Sequence, residues 1–349
     1  MSDCSVEICG FLKDAPFAYS ATYDEGTVDC LANALPVHEE FGFPGHVNVV
    51  AGQLGRKRNC FASSLNDYVH MSVEELQFLI SKGWGIGNHS WSHFVYPTQP
   101  GLDMYRELVW SRYSLEDQLD WPVRIFALCN DAYNYDPMIE LVKEHHIACI
   151  ANHFLAPNRE GFDVYQIGNF RMSSAPFPLR PSWPVDLMTE NLTLDFVKGA
   201  WLLDTTHLVM WDVPQAHKCV TPADVSKRFA KLTEISDGSV WAVKPDDMVD
   251  YQLMRRSLEI ENVRTEDGAV LFDVSGEWPV GVVNSFVTLR VTGSGLGTTP
   301  SVDQEYHKRE GGYSRHNEVL TPEKEGEDWL ITMQLAPHRT VRLSAESLP

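Results

Sequence analysis

Residues Phe17–Gly26 read FAYSATYDEG. An aromatic and apolar run ends in two adjacent carboxylates and a glycine, the pattern of a buried strand that stops at a polar turn. The residues after it decide the architecture. Thr27–Phe41 has helical periodicity and ends near Gly42, and His46–Ala51 (HVNVVA) is a second apolar strand. Ser72–Lys82 reads as a helix with Ser72 as N-cap and Glu75 three residues on, a capping box. The alternation continues with a strand at Trp84–Asn88, a helix at Asp103–Leu119, a strand at Val123–Leu128, a helix at Pro137–His146 and a strand at Ala148–Ala151. Further on, Leu194–Leu203 reads as a helix and Leu208–Val213 (LVMWDV) as a buried strand. Pro222–Ile235 and Asp246–Ser257 read as helices around the strand Val240–Val243. Strands alternating with helices imply parallel strands and crossover helices, an α/β fold closed as a barrel or wound as an open sheet.

From Leu258 the pattern changes to short alternating stretches, LEIENV, AVLFDV, FVTLRV, WLITMQL and TVRLSA, separated by Gly, Pro, Asp and Asn clusters. They predict a small antiparallel β-sandwich. The expected division is therefore 1–257 for the α/β domain and 258–349 for the sandwich. GSGLG at 293–297 lies between those strands and reads as a turn rather than a phosphate cradle.

Composition narrows the partners. The 349 residues carry 28 Lys and Arg against 48 Asp and Glu, a formal charge of −20. So acidic a surface repels phosphate backbones and anionic bilayers, which argues against nucleic acid and membrane partners and favours a neutral or cationic substrate. No apolar run approaches the ~20 residues of a membrane span. MSDCSVEICGFLKD at the N-terminus has acidic residues where a signal peptide has lysines, which suggests a cytoplasmic protein or one whose leader has been removed. The seven cysteines form no C-x-x-C pair, so neither a disulfide framework nor a thiolate zinc site is expected.

Two places could carry chemistry. Asp24-Glu25-Gly26 ends the first strand, and adjacent carboxylates on a turn point in different directions, so one can hold a metal while the other handles a proton. A solvated acidic loop is the plainer reading. His89-Ser90-Trp91-Ser92-His93 follows the strand Trp84–Asn88, and an i, i+4 spacing lets both imidazoles share a metal. Chance pairs at this spacing are common, but both sites sit at the C-terminal ends of expected parallel strands, where α/β folds build their sites. Two His and one carboxylate make a three-ligand zinc set with an open position for water.

Thr22-Tyr23-Asp24-Glu25-Gly26 resembles the T-F-D-D-G motif of the polysaccharide deacetylases, carbohydrate esterase family 4. GWGIGNHSWSH resembles that family's second motif, a Gly-rich strand running into H-[ST]-x-x-H. FGFPGHVNVVAG is similar to its helix–strand unit between the two. RIFALCNDAYNYDPMIELVKEHHI resembles the region of its third motif, F-R-P-P-Y-G-A-Y-N before a helix. LAPHRTVRL looks like part of the β-domain appended to some bacterial members. The resemblance covers roughly residues 17–250. It implies a distorted (β/α) barrel, Asp24 as general base, and Glu25, His89 and His93 as ligands of Zn²⁺ or another divalent metal. It implies hydrolysis of an amide C–N bond, most plainly N-deacetylation of an amino sugar or N-acetylated oligosaccharide. Alternatives are hydrolysis of a small non-sugar amide, cyclic amides included, or sugar binding without turnover.

The chain also departs from the pattern. Ala127 stands where the family has the Arg that orients its base, Leu128 and Cys129 replace Pro-Pro, and Asn130 and Asp131 replace Tyr-Gly. Glu25 is one methylene longer than the family's Asp. The late strand LVMWDV offers Asp212 where a His should protonate the leaving amine. His217 is the preferred general acid, with His207 and His153 open as alternatives. Trp91, Asn130, Asp131, Trp211 and Asp212 are the expected substrate contacts, and Tyr133 and Trp183 lie near the same rim. Self-association is left open.

Overall fold

The structure is a computed structural model describing residues 4–60, 63–129, 135–153, 156–176, 183–296, 299–306 and 322–345. It forms two compact units, Pro16–Asp246 and the pair of segments Met1–Ala15 with Asp247–Pro349.

The first unit is a closed barrel of seven parallel strands. In chain order they are β1 (Ala18–Glu25), β2 (Gly45–Val49), β3 (Gly85–Asn88), β4 (Ile125–Ala127), β5 (Ala148–His153), β6 (Ile167–Arg171) and β7 (Ala200–Thr206). β7 closes the ring by pairing in parallel with β1, Thr22 opposite Thr205 and Tyr23 opposite Thr206. Helices α1 (Leu35–Phe41), α2 (Val73–Ser81), α3 (Ser111–Leu119), α4 (Asp136–His145) and α5 (Pro222–Ile235) alternate with the strands. The capping box expected at Ser72 is present, with Ser72 Oγ accepting from Glu75 N and the Glu75 carboxylate accepting from Ser72 N. Reciprocal satisfaction of two orphan donors fixes the start of α2 and so the length of the turn that leads into β3. Leu76, Leu79 and Leu115 then pack into one core with Val47, Ile86 and Phe229.

Two spans differ from the sequence reading. Leu194–Leu203 is a single helical turn, Leu194–Val197, followed by β7. Gly199 makes the break with φ at +68°, a value that favours glycine. Leu208–Val213 is not a barrel strand: only Leu208–Val209 is extended, and it pairs with Cys219–Val220 in a separate two-stranded ribbon. β6 has no counterpart in the sequence reading.

The barrel interior is polar in part. β3 reads GIGN, and its two glycines face side chains from β2: a Cβ on Gly85 would fall 2.5 Å from the His46 ring, and one on Gly87 would fall 2.3 Å from Asn48 Oδ1. Fully buried His46 meets Asp246 at 3.2 Å, and Arg124 lies 3.8 Å from the same carboxylate.

The second unit holds two four-stranded antiparallel sheets. One contains Ser5–Ile8, Phe286–Thr292, Asp328–Gln334 and Glu323–Glu325; the other contains Leu258–Glu266, Ala269–Gly276, Arg339–Ala345 and Pro300–Tyr306. The division expected at 257/258 falls instead at 15/16 and 246/247. The cause is local pairing. Ser5–Ile8 pairs with Phe286–Thr292, Ser5 opposite Thr292, and Tyr251 and Gln252 donate to the carbonyls of Cys9 and Gly10 at 3.0 Å each.

Candidate metal and catalytic site

β1 delivers both carboxylates to the C-terminal rim of the barrel. Glu25 ends the strand with φ at +84°, and Gly26 follows at +78°. A left-handed conformation at a non-glycine residue costs on the order of 1–3 kcal/mol, and such strain collects at functional sites. The turn sends the two side chains apart. Asp24 is half-buried and accepts from Asn48 Nδ2 at 2.8 Å. Glu25 is 1% exposed and forms an ion pair with Arg58, itself 2% exposed. Its other oxygen, Oε1, lies 3.2 Å from His93 Nε2. Burial alone would raise the Glu25 carboxyl, but Arg58, then His93 and His89, hold it well below the usual carboxylate range.

The two imidazoles come from the loop after β3. Ser90 and His93 both adopt positive φ, +66° and +53°, and His93 N donates to Ser90 Oγ at 2.8 Å. Buried Glu107 holds the same loop by accepting from the backbone amides of Trp91 and Ser92 at 3.1 and 2.8 Å. His89 and His93 therefore stand ring against ring, centroids 5.0 Å apart. His89 Nδ1 lies 2.9 Å from the Ala127 carbonyl, an arrangement in which Nδ1 carries the proton and Nε2 keeps a lone pair. Burial pulls His89 down, but Cys129, Asp24 and Glu25 outweigh it and raise its pKa, whereas burial leaves His93 lowered.

The expected ligand set is only partly assembled. Among the described residues, the donor atoms that lie within 4.8 Å of one another are those of His89, His93 and Cys129. Glu25 reaches His93 but is not in that group.

The opposite side of the rim is built differently. His207 follows the last residue of β7, and continuing the β1–β7 register sets it across from Asp24. It is buried, and its Nδ1 meets no hydrogen-bond partner among the described residues. Burial, then the charges of Arg171 and Lys218, hold its pKa well below the ordinary value. His217 lies ten residues further on, half-exposed, in the turn before Cys219–Val220; burial, Lys218 and Arg171 lower it as well. Arg171 ends β6, opposite Thr205 of β7. Burial lowers it, while the charges of Asp24 and Glu25 act to raise it.

The remaining expectations divide. Trp91 is half-buried and packs against the barrel core, so part of its side chain is structural, and its backbone carbonyl accepts from Gly52 N at 2.9 Å. Trp211, 72% exposed, and Asp212 lie in the exposed turn after the Leu208–Val209 ribbon. Asn130, Asp131 and Tyr133, and the side chain of His153, fall outside the described residues. Sequence reasoning did not single out Arg58, Asn48 or Arg171. Arg58 sits in the run GRKRNC, which reads as a solvated basic loop, and Asn48 looks like a polar interruption of an apolar strand.

Residues 14–149 match the family model described as polysaccharide deacetylase. This region is similar to the polysaccharide deacetylases. No curated protein matches the chain in sequence. Among solved structures it is similar to a family 4 acetyl xylan esterase from Clostridium thermocellum, solved with a cobalt ion (14% identity, 66% of this chain and 89% of that chain, TM-score 0.41). It is similar to the peptidoglycan N-acetylglucosamine deacetylase Bc1960 (10% identity, 67% and 90%, TM-score 0.43). It is also similar to the deacetylase PplD from Streptococcus pyogenes in complex with acetate (18% identity, 38% and 55%, TM-score 0.31). No described helix of either unit is long and apolar enough to cross a membrane.

Proposed function

We propose that the chain is a metal-dependent hydrolase of an amide C–N bond, acting by N-deacetylation of an amino sugar or N-acetylated oligosaccharide. The observation that carries this reading is the meeting of Asp24, His89 and His93 at one rim of the barrel, with Asp24 held by Asn48 and His89 by the Ala127 carbonyl. The donors suit a divalent cation such as zinc: two imidazoles, with Glu25 or Cys129 beside them. When bound, that ion polarises a carbonyl oxygen and makes water a nucleophile near neutral pH.

The chain's own groups handle the protons. Asn48 donates to Oδ1 of Asp24 and orients the carboxylate, which acts as general base. His207 replaces His217 as the proposed donor to the leaving amine, because it stands at the end of a barrel strand beside Asp24. Held neutral by burial, it takes up a proton during turnover and passes it on. Arg171 supplies from β6 the positive charge that Ala127 does not supply from β4.

Acetate release from N-acetylglucosamine oligomers, with and without chelation, tests the proposal. Release abolished by chelation and restored by Zn²⁺ is the expected result. Equal release after complete metal removal excludes it. Ala127 favours a second reading, a small non-sugar amide as substrate, which turnover of such amides but not of the oligomers would support.

A further inference from the structure

Resting on the metal-dependent reading above, we infer that Cys129 is a ligand of the metal and takes the place that the carboxylate of Glu25 would otherwise fill. The geometry of the donors carries this. Cys129 Sγ lies 3.7 Å from His89 Nδ1, and one nitrogen of each imidazole together with Sγ falls within 4.8 Å of the others. Two donors of one tetrahedral ion, sulfur at about 2.3 Å and nitrogen at about 2.0–2.1 Å, stand roughly 3.6 Å apart. The thiol is fully buried and in no disulfide, with the His89 carbonyl and Ser90 Oγ each at 3.4 Å.

Glu25 is committed elsewhere. Its charge is already matched by Arg58, whose Nε is fixed by Ser63 Oγ at 2.8 Å, so both partners of the pair are oriented away from free choice. A carboxylate neutralised by a buried guanidinium is a poorer ligand, and removing it from that partner leaves a buried charge without compensation. A thiolate is a softer and stronger donor for zinc or cobalt. For His89 to bind through Nδ1, the proton that Nδ1 donates to the Ala127 carbonyl moves to Nε2 and the Cys129 thiol releases its proton to solvent, so that a metal bond replaces the hydrogen bond. The exchange gives up a neutral N–H···O contact, a modest loss beside a metal–nitrogen bond.

Cobalt(II) titrated into the metal-free full chain tests this without reference to turnover. One equivalent bound with a thiolate-to-cobalt charge-transfer band in the near ultraviolet is expected. Cys129→Ser should lose the band and weaken cobalt binding by roughly 100-fold or more, while Glu25→Gln should keep the band and lose no more than roughly 10-fold, the range of an outer-shell effect. Because a buried thiol can matter for folding, X-ray absorption on the wild-type zinc form gives a second measurement, with sulfur scattering near 2.3 Å expected. Cobalt bound with no thiolate band, or a zinc shell of nitrogen and oxygen alone, overturns the assignment of Cys129 and leaves the hydrolase reading standing. No cobalt bound at all overturns both.

Discussion

One wall of the barrel rim keeps the residues that the sequence motifs led one to expect, and the other has been rebuilt. β1 and the loop after β3 carry Asp24, Glu25, His89 and His93, with Asn48 holding Asp24, Arg58 holding Glu25 and Glu107 holding the histidine loop. Across the opening, Ala127 and Arg171 end β4 and β6 and His207 follows β7; the sequence reading held His207 open as an alternative acid and did not single out Arg171. On the proposed function, the contrast teaches that holding a cation and handling a substrate place unequal demands on sequence. A ligand pair depends on backbone angles such as those of Ser90 and His93, which few sequences adopt. A positive charge near a base can come from any strand that ends at the same level, so Arg171 can act where Ala127 cannot.

The sharpest way to break the comparison is at the base. Asp24→Asn should keep the metal and lower kcat by about 10²–10⁴-fold, whereas His89→Ala should lose metal and activity together. Metal content by atomic absorption beside acetate release checks both, and full turnover in Asp24→Asn would remove the base from the first wall. Next is Arg58→Ala, which leaves Glu25 buried without its partner. It should cost about 3–5 kcal/mol in urea unfolding, while a comparable loss of Arg171, half-buried, should cost less and act mainly on kcat. Equal destabilisation by the two would erase the distinction between the walls.

Acid should act on both walls alike. Burial lowers His38 and His70 to about 4 and His146 to about 3. Their unfolded values lie near ~6.5, so the unfolded chain binds protons first as pH falls. The stability these groups contribute is complete above about pH 6.5 and is lost as pH falls toward 4, on the order of 3 kcal/mol for a fully buried one such as His38. The urea midpoint should therefore fall over that window; a midpoint flat from pH 7 to pH 4.5 would contradict it.

Gly87→Ala tests the polar floor beneath the first wall. The new methyl group meets Asn48 Oδ1 at 2.3 Å, so it should cost about 1–3 kcal/mol and displace the amide that orients Asp24. Asn48→Ala in the same chain should relieve the stability loss but not the loss of kcat, a non-additive cycle read from urea midpoints and acetate release. The smallest effect is expected for His217→Ala, less than about 0.5 kcal/mol in stability with kcat nearly kept, against a clear fall in kcat for His207→Ala.

The first half of the barrel was legible because local signals agree with one another. Ser72 and Glu75 mark a helix start, Gly42 marks a stop with φ at +67°, and the strand between is buried throughout. The second half lacks such punctuation. β6 follows a loop rather than a crossover helix, and LDFVKGAWLL has apolar spacing that suits a helix until Gly199 breaks it. β7 is buried at all seven positions, and a short continuous apolar run cannot be told from a buried helix by periodicity. Misplacing β7 also misplaced the strand end, which is why the sequence reading chose His217 over His207. Cys129 was hidden for another reason: a single thiol among seven scattered ones reads as packing until its neighbours are known.

The pairing of Ser5–Ile8 with Phe286–Thr292 has a consequence for how the chain comes off the ribosome. The edge strand Ser5–Ile8 must stay without its sheet until some 280 further residues have emerged. The barrel, whose sequence lies wholly between those two strands, is free to close in the meantime, so its folding precedes completion of the antiparallel unit. That interval leaves the strand unpaired, and the acidic Glu7 within it guards it against pairing with a neighbouring nascent chain.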